Sequence, residues 1–87
     1  MVLKSICKAF GNTQRVQLVA CLAREATVSE LLRKCNLSQS ALSQHLAVLR
    51  NVGIVQTRES GRHVYYKSVS PKYTDLARRI LALTAQK

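Results

Sequence analysis

Gln39, Ser40, Ser43 and Gln44 stand at i, i+1, i+4 and i+5, a spacing that gathers them on one stripe of a helix, where residues three and four apart are neighbours. Amides and small hydroxyls in such a stripe suit the edges of base pairs. A Gln pairs bidentately with adenine, and a Ser bonds either bases or phosphates. Ser38 and His45 flank the stripe. For His45, which would half-face a core, a satisfied packing role and a DNA contact are both open.

Two guanidinium groups have a comparable reading. Arg58 and Arg62 flank Glu59-Ser60-Gly61, so a hairpin turning there would hold both where a β-wing meets the minor groove or the backbone of DNA. The bland alternative is a solvated hairpin. Arg33, Lys34, Arg50 and Lys67 add phosphate contacts as a group more readily than any one of them does alone.

The remaining reactive side chains support less. Three cysteines without C-x-x-C spacing argue against a disulfide framework and agree with a reducing compartment. Cys35 falls on an apolar stripe, where an inert thiol is the default. Cys7 and Cys21 leave room for a redox switch, which requires an exposed, acidic thiolate near a partner. Four acids and two histidines form no convergent set for catalysis, so no enzyme is expected. Neither a cofactor nor a metal is expected.

Helices must position the stripe. Val2, Leu3, Ile6, Cys7 and Phe10 recur at helical spacing, and Gly11-Asn12 supplies residues that end a helix. A second helix is expected from Thr13 to about Arg24, with Val16, Val19, Ala20 and Ala23 inward and Leu18 and Leu22 widening the stripe. Thr27-Val-Ser-Glu30 spells a capping box, so a third helix starts at about Val28 and buries Val28, Leu31, Leu32 and Cys35. After the turn Asn36-Leu37-Ser38, Ser38 caps a fourth helix that packs Leu42, Leu46 and Leu49 inward and stops at Gly53. Two helices joined by so short a turn make a helix-turn-helix. Ile54 to Arg58 and Arg62 to Val69 are rich in β-branched and aromatic residues and read as a hairpin. Ser70-Pro71 opens a last helix carrying Tyr73, Leu76, Ala77, Ile80 and Leu83.

The 87 residues suffice for one domain with a thin core. Fourteen Lys and Arg against four Asp and Glu leave a net charge of +10, an excess that an anionic partner would relieve. Positive charges run from Lys4 to Lys87, with neither a long apolar span nor one basic-faced amphipathic helix, so no membrane partner is expected. The opening Met-Val-Leu-Lys-Ser-Ile-Cys lacks the features of a signal peptide, and the expected location is the cytoplasm. Leu3, Ile6 and Phe10 near one end, with Tyr73, Leu76, Ile80 and Leu83 near the other, exceed what so small a core needs. A homodimer interface is their expected use.

This order of elements, with Leu-Ser-Gln-Ser-Ala-Leu-Ser-Gln-His-Leu at 37–46, resembles the ArsR family of bacterial repressors. Supporting stretches are Ala9-Phe-Gly-Asn-Thr-Gln-Arg15, Leu46-Ala-Val-Leu-Arg50 followed by Gly53-Ile-Val, and Gly61-Arg-His-Val-Tyr-Tyr66. The resemblance implies dimers paired through the first and last helices that repress promoters until an inducer loosens them. It also implies metal sites that this chain lacks. Thr27 and Ser29 occupy the cysteine positions of metal-sensing relatives, and hydroxyls do not replace soft thiolates. The segment from Tyr73 to Lys87 carries Asp75 and no histidine, which removes the other familiar metal site. No cysteine follows Cys35, so the sulfur-sensing pair on the second and last helices is missing too.

The expected architecture is therefore mainly α with a small β-hairpin: a winged helix-turn-helix spanning 1–87. The expected function is sequence-specific regulation of transcription, as a homodimeric repressor on double-stranded DNA. Alternatives are a sequence-tolerant architectural DNA binder, a thiol-responsive repressor using Cys7 and Cys21, and a protein-interaction module.

Overall fold

A computed structural model describes residues 3–85, with side chains through Leu83. Its order is α1 (Leu3–Ala9), α2 (Thr13–Cys21), α3 (Val28–Lys34), α4 (Gln39–Val52), β1 (Val55–Ser60), β2 (His63–Ser68) and α5 (Pro71–Ala85). Val2, expected on the first helix, lies outside the described residues.

Local chemistry sets most boundaries. Asn12 does more than follow α1, because its side-chain oxygen accepts from the N–H groups of Gln14 (2.9 Å) and Arg15 (3.1 Å) and caps α2. The capping box at α3 is complete: Thr27 Oγ1 accepts from Glu30 N at 3.2 Å, and Glu30 Oε1 accepts from Thr27 N at 2.8 Å. These bonds to Thr27 hold the Glu30 carboxyl below the ordinary carboxylate range. Ser38 Oγ caps α4 through Ala41 N at 3.1 Å. Gly53 ends that helix at φ 91, a left-handed conformation in which a side chain would be strained.

Two expectations need correction. α2 stops at Cys21 rather than near Arg24, because the chain beyond it is drawn into extended pairing with the hairpin. Ala26 N donates to Tyr66 O at 2.9 Å and Tyr66 N returns a bond to Ala26 O at 2.8 Å. Ala23 is consequently exposed rather than on a buried stripe. The hairpin turn is Gly61-Arg62, not Glu59-Ser60-Gly61, since the register runs from Val55 opposite Ser68 to Ser60 opposite His63. Gly61 at φ 61 takes the first central position of a two-residue turn, where glycine fits the strand twist.

Leu18, Leu22, Leu31, Leu42, Leu49 and Ile54 are fully buried and join all the helix layers. Each contributes about 1.5–3 kcal/mol by leaving water. α5 lies along α2 and buries Ala77, while α4 meets α1, α2, α3 and β1. Phe10 stacks on Tyr73 with ring centroids 6.5 Å apart, tying the end of α1 to α5.

Candidate nucleic-acid interface

The amphipathic pattern of α4 aims the stripe. Leu42 and Leu49 are wholly inaccessible and Leu46 is 2% exposed, which turns Gln39, Ser40, Ser43, Gln44 and Ala47 outward, and all five are exposed. Ser38 is exposed too, with its hydroxyl oxygen engaged as the cap. No acid sits in the first turn of α4, so the positive end of its helix dipole is uncompensated. The outward surface offers amides, hydroxyls and orphan N–H groups, with Arg50 in the last turn.

His45 is half-buried and links α4 to α2. Its Nε2 lies 2.8 Å from Gln14 Oε1 and its Nδ1 lies 3.4 Å from an Arg15 nitrogen. A neutral ring with the proton on Nε2 satisfies both contacts, donating to Gln14 and accepting from Arg15. Arg15 also donates to the carbonyls of Ala9 (2.8 Å) and Lys8 (3.1 Å), so one guanidinium closes the end of α1 and braces α4. Burial, and then the nearby Arg15 charge, push the His45 pKa below its ordinary 6.5.

A stability consequence follows with a definite sign. The unfolded chain takes up a proton near pH 6.5 whereas folded His45 resists, so stability is present above that pH and declines as pH falls toward the lower folded value. The thermal midpoint should drop between about pH 7 and pH 5, above the range where carboxylates titrate. A His45→Asn variant should show a flatter profile there. An unchanged slope would remove His45 from this role.

The wing divides its two arginines. Arg58 is bound bidentately by Glu25, Nε to Oε2 at 2.7 Å and a terminal nitrogen to Oε1 at 3.0 Å, and it lies 4.7 Å above the Tyr65 ring. This pair lowers the Glu25 pKa and raises that of Arg58, chiefly through their shared hydrogen bonds. Arg58 thus ties the wing to the loop after α2, and its charge is matched locally. Arg62, moved into the turn, is exposed at the tip. Between wing and recognition helix, Ser43, Ala47, Arg50 and Asn51 face Tyr66 across a shallow cleft. Asn51, Glu25 and Arg15 also belong to this region, though the sequence pattern alone does not single them out. The one signal for Asn51 is its place one turn beyond Ala47. Nothing in the sequence linked Glu25 to a residue 33 positions away.

The residues expected at a dimer interface separate into two groups. Leu3 is 75%, Leu76 41% and Leu83 73% exposed, whereas Ile6, Phe10, Tyr73 and Ile80 are half-buried. The thiols sort differently from expectation. Cys7 is exposed, and the neighbour of Cys21 is Cys35 rather than Cys7. Burial, and then Cys21, raise the Cys35 pKa, which opposes thiolate chemistry there. Among the described residues no three His, Cys, Asp or Glu side chains form a metal-holding group, and no helix is long and apolar enough to cross a membrane.

Comparison with known proteins agrees with this geometry. The family model for "Bacterial regulatory protein, arsR family" matches residues 12–57. The transcriptional activator HlyU of Vibrio cholerae is 47% identical over 62 residues, which are 70% of this chain and 57% of that protein. The biofilm growth-associated repressor of Agrobacterium fabrum is 34% identical over 79 residues, 90% of this chain and 68% of the relative. Among solved structures, HlyU from Vibrio cholerae superposes with a TM-score of 0.81 at 38% identity, over 95% of this chain and 91% of that one. The transcriptional repressor BigR from Xylella fastidiosa gives 0.85 at 29% identity, over 98% and 88%.

Proposed function

The chain belongs to the arsR family of bacterial regulatory proteins, and from that premise we propose that it represses transcription as a homodimer on an imperfectly palindromic operator. It is a DNA-binding transcriptional regulator with a winged helix-turn-helix fold, and not an enzyme. The observation that carries the finer reading is the outward stripe Gln39, Ser40, Ser43 and Gln44 on a helix whose other side is sealed by Leu42, Leu46 and Leu49.

The roles divide by chemistry. Gln39 and Gln44 read base edges in the major groove, Ser38, Ser40 and Ser43 bond bases or phosphates, and Arg62 reaches the minor groove or backbone from the wing. His45 and Arg58 act by positioning, His45 by holding α4 against α2 and Arg58 by anchoring the wing to Glu25. Residues 1–87 act as one DNA-binding unit that dimerises through α1 and α5. Leu3, Leu76 and Leu83 supply apolar surface that a monomer leaves in water, and Ile6, Phe10, Tyr73 and Ile80 form the half-buried layer beneath. A C2 dimer would address half-sites roughly 10 base pairs apart. A DNA partner places the protein in the bacterial cytoplasm.

The sign of regulation differs among the relatives, one being named an activator and another a repressor. Repression is proposed because blocking a promoter requires only DNA-reading and pairing surfaces, both of which the described residues supply. Selection of bound sequences from random DNA tests specificity, palindromy and spacing together. Gln44→Ala should lower discrimination at particular bases by about 1–3 kcal/mol, while Arg62→Ala weakens all sequences alike. Equal effects from both would overturn the division of roles. The +10 charge also favours a sequence-tolerant architectural binder, and competition by random DNA at parity with selected DNA would establish that reading instead.

A further inference from the structure

One cleft lies away from the DNA-facing surface. An open cleft of about 260 Å³ lies between the loop after α2, the base of the wing and the start of α5, with Ala23, Lys67, Ser70, Thr74, Asp75 and Arg78 on its walls. Thr74 is 2% exposed, and its hydroxyl is buried without a hydrogen-bond partner among the described residues. A buried, unpaired hydroxyl is a standing cost that a ligand oxygen would relieve. The neighbouring Ser68 shows the contrast, because its hydroxyl donates to Ser70 O at 2.8 Å.

Charge specifies what the cleft would take. On the cleft walls Lys67 and Arg78 contribute two positive groups against the Asp75 carboxylate, Glu25 near Lys67 is already paired with Arg58, and no acid occupies the first turn of the 15-residue α5. The net bias favours a monoanion over a dianion. Val69, Pro71 and Ala23 add apolar wall, which suits a short hydrocarbon tail. The volume admits only a few heavy atoms beyond the carboxylate.

We propose that this cleft binds a small organic monocarboxylate as an effector, its carboxylate held by Arg78, Lys67 and the Thr74 hydroxyl. The place of the cleft gives the occupant a lever. Lys67 and Gln56 belong to the wing strands while Thr74 and Arg78 belong to α5, so a bound anion would bridge the wing and the last helix. Arg78 stands about 200° round α5 from Leu76, so the cleft and the exposed leucines occupy different flanks of one helix. The binding site is independent of the DNA reading, whereas the effector role rests on it.

Backbone amide NMR of the full chain, titrated with butyrate at constant ionic strength against chloride, tests the site. Saturable shifts at Lys67, Thr74 and Arg78 in the millimolar range are expected. Binding should weaken by at least about tenfold in Thr74→Val and in Arg78→Gln, the weight of one charge-assisted hydrogen bond. Thr74→Val keeps the shape and removes the unpaired hydroxyl, so its thermal midpoint should match or exceed that of the wild type; Arg78→Gln is a surface change that serves if it does not. Absence of saturation at the cleft, wild-type affinity in both variants, or equal binding of inorganic phosphate and butanol there would overturn the proposal. A second arm measures affinity for selected DNA with and without butyrate. An effect in the wild type that vanishes in Thr74→Val supports the effector role, and saturable binding with no effect on DNA removes it. Failure to bind DNA even without butyrate would count against the DNA reading, not against the site.

Discussion

Raising the salt from about 50 to 200 mM is expected to weaken DNA binding roughly 10³–10⁵-fold, provided a dimer neutralises about six to ten phosphates. The number follows from release of counterions condensed on the duplex, so it depends on how many cations touch phosphate and not on sequence. The structure indicates which cations count. Arg62 at the wing tip and Arg50 at the end of α4 are exposed and form no ion pair among the described residues, while Arg58 already satisfies Glu25. Arg62→Ala should therefore lower the slope of log affinity against log salt by about two per dimer, one for each wing. Arg58→Ala should change the slope less and the wing's rigidity more. Fluorescence anisotropy across a salt series measures both, and a flat dependence in the wild type would contradict phosphate-led binding.

The second large effect is on the fold that presents the stripe. Leu42→Ala should destabilise the protein by about 2–5 kcal/mol, from lost transfer energy and the cavity left behind. Leu42 is wholly inaccessible and sits on α4 between Ala41 and the outward Ser43, so its packing sets how far the stripe projects. A domain of this size holds only about 5–15 kcal/mol in total, and each lost kcal/mol lowers the midpoint by roughly 4–8 °C. Chemical denaturation would read the loss directly. Gln44→Ala, two residues further on and exposed, should leave stability within about 0.5 kcal/mol. If both substitutions were equally mild, α4 would not be anchored as described.

The contrast between these variants shows how legible the site was. Leu42, Leu46 and Leu49 at helical spacing, with Ser38 before them and Gly53 after, fix both the inward face of α4 and its two ends. Once that face is known, the outward position of Gln39, Ser40, Ser43 and Gln44 is dictated by 3.6 residues per turn. The hairpin was legible as two β-rich runs, but its turn falls at Gly61-Arg62 rather than at Glu59-Ser60-Gly61. The reason is that Glu59 and Ser60 carry ordinary turn chemistry, whereas the pairing of Ser60 with His63 is decided by register along the whole ladder.

Local sequence also determined the caps of α3 and α4, the inward face of α4 and the positive charge suited to an anionic partner. Each depends on residues within a turn or two of one another, where chain geometry leaves few choices. Tertiary structure alone decided that Arg58 would be spent on Glu25, that His45 would lie between Gln14 and Arg15, that α2 would end early to let Ala26 pair with Tyr66, and that Cys21 would meet Cys35. These contacts join residues far apart in the chain, and their partners are chosen by how the helices pack around a shared core, which no local pattern encodes.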